Sequence, residues 1–152
     1  GANCDAYHIT APEPDGNGGA GCMQLALEDA AIAPEQIDYI NAHATSTPAG
    51  DTAEAEAIAH VFGPNSVPTS STKSMTGHEC WMAGSSETIY SILMMNNGFI
   101  APNINFSNPD EHSEKLNLVT EMRKAELNHV LTNSFGFGGT NSSLILKKWE
   151  GS

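Results

Sequence analysis

Apolar positions change their period several times along the 152 residues, and the changes predict alternating helices and strands. A polar, glycine-rich turn, Asp15-Gly16-Asn17-Gly18-Gly19, leads into a helix over about 20–32. There Cys22, Leu25, Ala26 and Ala30 fall at helical spacing, and Pro34 marks the end. Ile37 to Ala42 alternates and is rich in strand formers. A second helix is predicted from Asp51, whose carboxylate would cap the first amides with Glu54 at the capping-box position. It runs through Ala55, Ile58, Val61 and Phe62 to Gly63-Pro64. Val67 to Ser71 reads as a short strand. A third helix over about 83–97 carries Ile89, Ile92, Leu93 and Met94, and Asn97-Gly98 closes it as a left-handed cap. Pro102 to Lys115 reads as a loop, and Leu116 to Thr120, His129 to Asn133 and Ser143 to Lys147 read as three final strands.

Strands that alternate with helices imply an α/β domain with parallel pairs, and the closing strands add an antiparallel edge. The prediction is one domain with a mixed sheet flanked by helices. Its length suffices for a real core.

Charge narrows the function. Residues 1–72 contain ten Asp or Glu and no Lys or Arg, and the whole chain carries a formal −12. Phosphate neutralisation needs a basic patch, so no nucleic-acid partner is expected. No apolar run is long enough for a membrane helix, so no membrane role is expected. Cys4, Cys22 and Cys80 make neither a disulfide framework nor a zinc ribbon, which suggests reduced thiols and a cytoplasmic location. The opening Gly1-Ala2-Asn3-Cys4-Asp5 lacks the regions of a signal peptide and equally suits a cut inside a longer protein.

Three stretches look chemical rather than structural: His43-Ala44-Thr45-Ser46-Thr47, Lys73-Ser74-Met75-Thr76-Gly77-His78, and Asn133 through Asn141. Each follows a β-prone run, and that edge of an α/β sheet is where sites are built. Gly136-Phe137-Gly138-Gly139 superficially suits a phosphate cradle, but the residues after it read as strand, and no Gly-Lys-Ser/Thr occurs. A Phe137 N–H between glycines better suits an oxyanion hole. His43 and His78, each before a helix, could converge on one oxygen as donors. Lys73 is the first cation in the chain and lies five residues before His78. Glu87, one turn into the following helix, could pair with it. Thr45 and Thr47 lie two apart, so both hydroxyls can face one way. His78-Glu79-Cys80 has no companions at zinc spacing, so no metal is expected.

Together with Asp5-Ala6-Tyr7-His8, Asn41-Ala42 and Gly50-Asp51, these stretches resemble the elongating β-ketoacyl-[acyl carrier protein] synthases, thiolase-like condensing enzymes. The resemblance spans nearly the whole chain, which looks like the carboxy-terminal half of a five-layered α/β/α/β/α fold. It implies a cytoplasmic acyltransferase of fatty-acid elongation that condenses an acyl-enzyme with malonyl carrier protein, losing CO2. The nucleophilic cysteine would lie in the other half, so none of Cys4, Cys22 or Cys80 inherits that role, and this piece alone would be inactive. By motif position His43 and His78 would stabilise the enolate, Lys73 with Glu87 would order the site, and the Phe137 N–H would complete the oxyanion hole. Thr45, Thr47 and Thr10 would hold the phosphopantetheine arm. The resemblance implies acyl carrier protein as partner, a homodimer when intact, and no cofactor of the enzyme's own. A chain-length-factor-like subunit and a polyketide or aryl-polyene synthase are the alternatives. Two positions depart from the family's pattern: Ala44 stands where Gly is usual, and Glu79-Cys80-Trp81-Met82 replaces a small-residue stretch, with Trp81 at a glycine.

Overall fold

The computed structural model describes residues 1–149 and 151. Its strands are β1 (Ala2–Cys4), β2 (Tyr39–Asn41), β3 (Pro68–Ser70), β4 (Phe99–Ile100), β5 (Asn117–Leu118), β6 (Arg123–Lys124), β7 (His129–Phe135) and β8 (Thr140–Lys147). Its helices are α1 (Asn17–Ala30), α2 (Pro48–Phe62), the single turn α3 (Lys73–Thr76) and α4 (Ala83–Asn97). Six strands form one mixed sheet in the order β1-β8-β7-β2-β3-β5. β2 runs parallel to both β7 and β3, and β3 runs parallel to β5. β8 runs antiparallel to β7 and to β1.

The fold class is as expected, with local differences. The antiparallel part is wider than an edge: β8 is interior, and β1, which the sequence pattern passes over, takes the outside. β1 is three residues long and exists through its pairing with 140–142, too little sequence for a period to register. β4 and β6 form a separate two-stranded ribbon.

The glycines of 18–19 lie inside α1 rather than before it. They stand there for space. A Cβ on Gly18 would meet Asp5 Cβ at 2.8 Å, and one on Gly19 would meet the Phe135 ring at 3.1 Å. α2 starts three residues before the expected Asp51, because Pro48 is pre-set for the first helical position. Asp51 still binds orphan amides, those of Ser46 at 3.1 Å and Thr47 at 3.4 Å, but from within the first turn. α4 has the predicted bounds, and Gly98 (φ 69°) caps it with its N–H on Met94.

Side chains alternate across the strands, so each face of the sheet has its own core. Ile40 and Leu131 point to α1 and α2, packing with Met23, Leu27, Ala57 and Ile58. Their neighbours Tyr39 and Val130 point the other way, to Met94 and Met95 of α4, with Ile100, Val119 and Leu127. The two faces end differently. α1 and α2 close the first, whereas the far side of α4 leaves Ile89, Ile92 and Leu93 exposed.

Candidate active site

β2, β3 and β7 are adjacent and parallel through β2, so their carboxyl ends open at one edge. All three candidate loops leave from that edge.

The loop after β2 carries His43. Glu54, reaching up from α2, accepts the amides of His43 at 2.9 Å and Ala44 at 2.7 Å. The same carboxylate takes Asn133 Nδ2 of β7 at 3.0 Å. Ser71 Oγ donates to the Ala44 carbonyl at 3.3 Å. Glu54 is therefore the post on which the loop stands, not the capping-box residue of the sequence reading. The spacing from Asp51 to Glu54 suggested a cap; the partners lie on other elements, and only the fold brings them close. Burial raises the Glu54 carboxyl against the lowering pull of these donors. The Ala44 methyl packs onto the core beneath α2.

β3 leads through Ser71 and Thr72 into α3, so Lys73 opens a helical turn rather than sitting in an open loop. Gly77 (φ 75°) ends that turn with its N–H on the Lys73 carbonyl at 2.9 Å, and His78 follows. Lys73 is buried, and its Nζ pairs with Glu87 Oε1 of α4, also buried. That pairing is the one anticipated. Burial outweighs the pairing and pushes the Glu87 carboxyl up to about 6.

The His43 and His78 rings meet edge to face, centroids 5.5 Å apart at 88°. His78 Nδ1 accepts the Cys80 amide at 3.2 Å, so the neutral ring carries its proton on Nε2, as a donor. Burial, then the charges of Lys73 and His78, lowers His43 to about 3, which keeps it neutral. Among the described residues neither His43 Nδ1 nor Glu87 Oε2 has a hydrogen-bond partner.

β7 continues through Asn133, Ser134 and Phe135, so the third loop is the four-residue turn Gly136–Gly139 rather than the longer one expected. The strand extends because Phe135 still pairs with Asn141 on β8. The Phe135 ring lies 6.1 Å from His43, which sets the Phe137 turn beside the imidazoles. Flanking amides hold the turn: Gly136 on Thr140 and Gly138 on Ile9, each at 2.8 Å. Phe137 itself is exposed. Thr45 and Thr47 do face one way, with hydroxyls 3.2 Å apart. Thr10 bonds locally to His8 Nδ1, and its segment reaches the site only where Ile9 holds Gly138. Glu79 turns to the Tyr90 hydroxyl at 3.3 Å. No helix among the described residues is long and apolar enough to cross a membrane.

Known proteins share this fold. The family described as Beta-ketoacyl synthase, C-terminal domain, matches residues 1–107. A relative from Haemophilus influenzae, 3-oxoacyl-[acyl-carrier-protein] synthase 1, is 50% identical over 99% of this chain. The chain spans 36% of that relative's length, and the same share of the Coxiella burnetii synthase 2. Among solved structures, the ishigamide ketosynthase/chain length factor superposes with TM-score 0.93 at 39% identity, over 98% of this chain and 36% of that one. A type II polyketide acyl-carrier protein in complex with its ketosynthase, AntDE:AntF, also gives 0.93, at 32% identity over 98% of this chain and 37% of that one. The family match over residues 1–107 and the 50% identity over 99% of this chain show that it belongs to the β-ketoacyl synthase family, as its C-terminal domain.

Proposed function

We propose that this domain works within a longer 3-oxoacyl-[acyl carrier protein] synthase of fatty-acid elongation. The observation that carries the reading is the neutral His43 ring set edge to face against His78, beside the Phe137 turn. A donor that is uncharged and fixed before reaction suits a site where negative charge builds on a thioester-derived oxygen.

The chemistry balances in two stages. A cysteine thiolate from the remainder of the polypeptide attacks an acyl thioester on carrier protein. The carrier's thiolate leaves and takes up the proton that the cysteine gave up, and the acyl group stays on the enzyme. Malonyl carrier protein then loses its carboxylate as CO2, and the electron pair of the broken bond becomes an enolate. His43 and His78 donate hydrogen bonds to that enolate oxygen. The enolate carbon bonds to the acyl carbonyl, the Phe137 N–H receives the resulting oxyanion, and the cysteine thiolate leaves. The product is 3-oxoacyl carrier protein. Lys73, fixed by Glu87, supplies positive potential beneath the imidazoles. Thr45 and Thr47 accept and donate along the pantetheine amides, and Thr10 guards the same entrance.

Acyl carrier protein is the partner this scheme requires, and the AntDE:AntF complex supports it by likeness. Fatty-acid rather than polyketide substrates are favoured by identity, 50% to the synthase named for 3-oxoacyl carrier protein against 32–39% to the polyketide-type structures. The complete set of polar residues weighs against a non-catalytic chain-length factor. Three free thiols suit the cytoplasm, and the family resemblance suggests a homodimer for the intact protein.

The test is malonyl-carrier decarboxylation by the full-length protein. His78→Ala should lower CO2 release about a hundredfold or more. An unchanged rate would overturn the assignment, as would turnover by residues 1–152 alone.

A further inference from the structure

The turn that carries Lys73, α3, is only four residues long, and a single helical turn does not stand by itself. Its conformation has to be imposed from outside. Thr72, at its amino end, supplies no side-chain cap. The two amides that lead into the turn are instead held by asparagines from other elements. Asn41 Oδ1 of β2 accepts the Thr72 amide at 3.3 Å, and Asn103 Oδ1 accepts the Ser71 amide at 3.1 Å. Ser71 and Thr72 are both buried, so solvent does not readily replace a lost partner there.

Asn103 lies in the loop after β4, whose sequence pattern suggests no chemistry. Three successive residues of that loop grip the Lys73 turn. Beside the Asn103 bond, the Ile104 amide donates to Ser74 Oγ at 3.1 Å, and Asn105 Nδ2 donates to the Ser74 carbonyl at 3.2 Å. Asn105 takes a left-handed conformation, φ 63°, which asparagine tolerates better than most residues. The loop is itself anchored, since the Asn103 amide donates to the Val119 carbonyl at 2.7 Å.

Ser71 passes the contact to the other side of the site. Its Oγ donates at 3.3 Å to the carbonyl of Ala44, in the loop that carries His43. Lys73 follows two residues later and pairs with Glu87. The position of Ser71 therefore sets both where the lysine stem leaves the backbone and how the His43 loop stands against it. The Lys73 charge is felt at His43, where it adds to burial in keeping the ring neutral.

We propose that Asn103 is a positioning residue for the decarboxylation step: through Ser71 it keeps Lys73 and the His43 loop in mutual register. This deepens the condensing reading above and rests on it. The bond to Ser71 uses only Oδ1, so an aspartate can replace the asparagine, whereas a leucine of similar size cannot. The two stages of the reaction also ask different things of the site. Enolate formation needs the imidazoles and the Lys73 charge. Acylation needs the cysteine and the Phe137 turn, which Thr140 and Ile9 hold without Asn103.

The experiment measures two rates in the full-length synthase: transfer of octanoyl from its carrier protein to the cysteine, and CO2 release from malonyl carrier protein. Asn103→Leu should lower CO2 release about tenfold or more at unchanged KM, while acylation stays within about twofold of wild type. Asn103→Asp should keep both rates near wild type. A purely structural role would lower the two rates together, by reducing the folded fraction. Acylation falling as far as CO2 release, CO2 release left unchanged, or Asn103→Asp as slow as Asn103→Leu would overturn the proposal. Should Asn103→Leu not fold, Asn103→Ser, with a hydroxyl too short to reach the Ser71 amide, carries the same comparison against Asn103→Asp. None of those outcomes touches the condensing reading. Wild type that releases no CO2 would overturn that reading, and this proposal with it.

Discussion

The His43 and His78 rings meet at one edge of the sheet, and their supports differ. His43 leaves β2 on the way to α2, and everything that positions it belongs to this domain. Glu54 holds its amide, Asn133 holds Glu54, and the Ala44 methyl packs on the core. His78 leads into α4, and its ring is exposed, as are Trp81 and Met82 after it and Ile89, Ile92 and Leu93 along the helix. The α2 side is finished; the α4 side is an open face. The lesson concerns where stability and function separate. Changes under His43 should damage folding and chemistry together, whereas changes at His78 should damage chemistry alone.

Lys73 joins the two sides, and its removal should have the largest effect. Lys73→Met leaves the Glu87 carboxylate buried without its partner, which costs about 3–5 kcal/mol. The double variant Lys73→Met/Glu87→Leu should recover most of that loss in denaturant unfolding. It should recover no condensing activity in the full-length synthase. Recovery of activity would show that the pair only fills space.

The next effect reads His43 through pH. Its folded value, about 3, lies below the unfolded value of 6.5, so only the unfolded chain gains a proton between them. Stability from this group is present above 6.5 and is lost as pH falls toward 3. Glu87 has the opposite sign. Its folded value of about 6 lies above 4.5, so the folded state holds the extra proton, and stability falls as pH rises through that window. The two contributions oppose each other between 4.5 and 6.5. Compared with His43→Asn, the wild type should lose about 2 kcal/mol on going from the top to the bottom of that range. Parallel stability curves for wild type and His43→Asn would remove the asymmetry between the histidines.

Much of this contrast was readable in the chain, and the limits have a common cause. α4 was bounded correctly because its apolar period and its Asn97-Gly98 end are both local signals. The Lys73–Glu87 pair was anticipated because sparse cations make one lysine conspicuous. Both threonine hydroxyls followed from strand-like spacing. Glu54 was misassigned because its partners are 10, 11 and 79 residues away in sequence, and a local rule fitted the same residue. β1 escaped for a similar reason, since its partner strand begins at Thr140. The Asn133 bond to Glu54 follows only from the pairing of β2 with β7, which no local spacing encodes.

Glu54→Gln should cost about 2 kcal/mol, because an amide NH2 would now face one of the three donors the carboxylate accepts. Since the loop loosens with it, condensing activity should fall as well, and both readouts should move together. The matched change on the α4 side, His78→Gln, should leave unfolding within about 0.5 kcal/mol of wild type while activity collapses. If Glu54→Gln keeps full stability, the claim that the α2 side is complete in itself fails.

Ala44→Gly is the smallest of these effects and the one that isolates a single methyl. The methyl packs on the core under α2. Its loss removes about 0.8 kcal/mol of burial and adds the backbone freedom of glycine, for a total of about 1 kcal/mol. The amide hydrogen bond to Glu54 at 2.7 Å and the carbonyl bond from Ser71 do not involve the side chain, so the loop keeps its course. Unfolding should therefore shift while kcat/KM of the full-length synthase stays within about twofold, the span of a surface substitution. A larger change in activity at unchanged stability would mean that the methyl acts on His43 itself, and the division between the two sides would have to be redrawn through the loop.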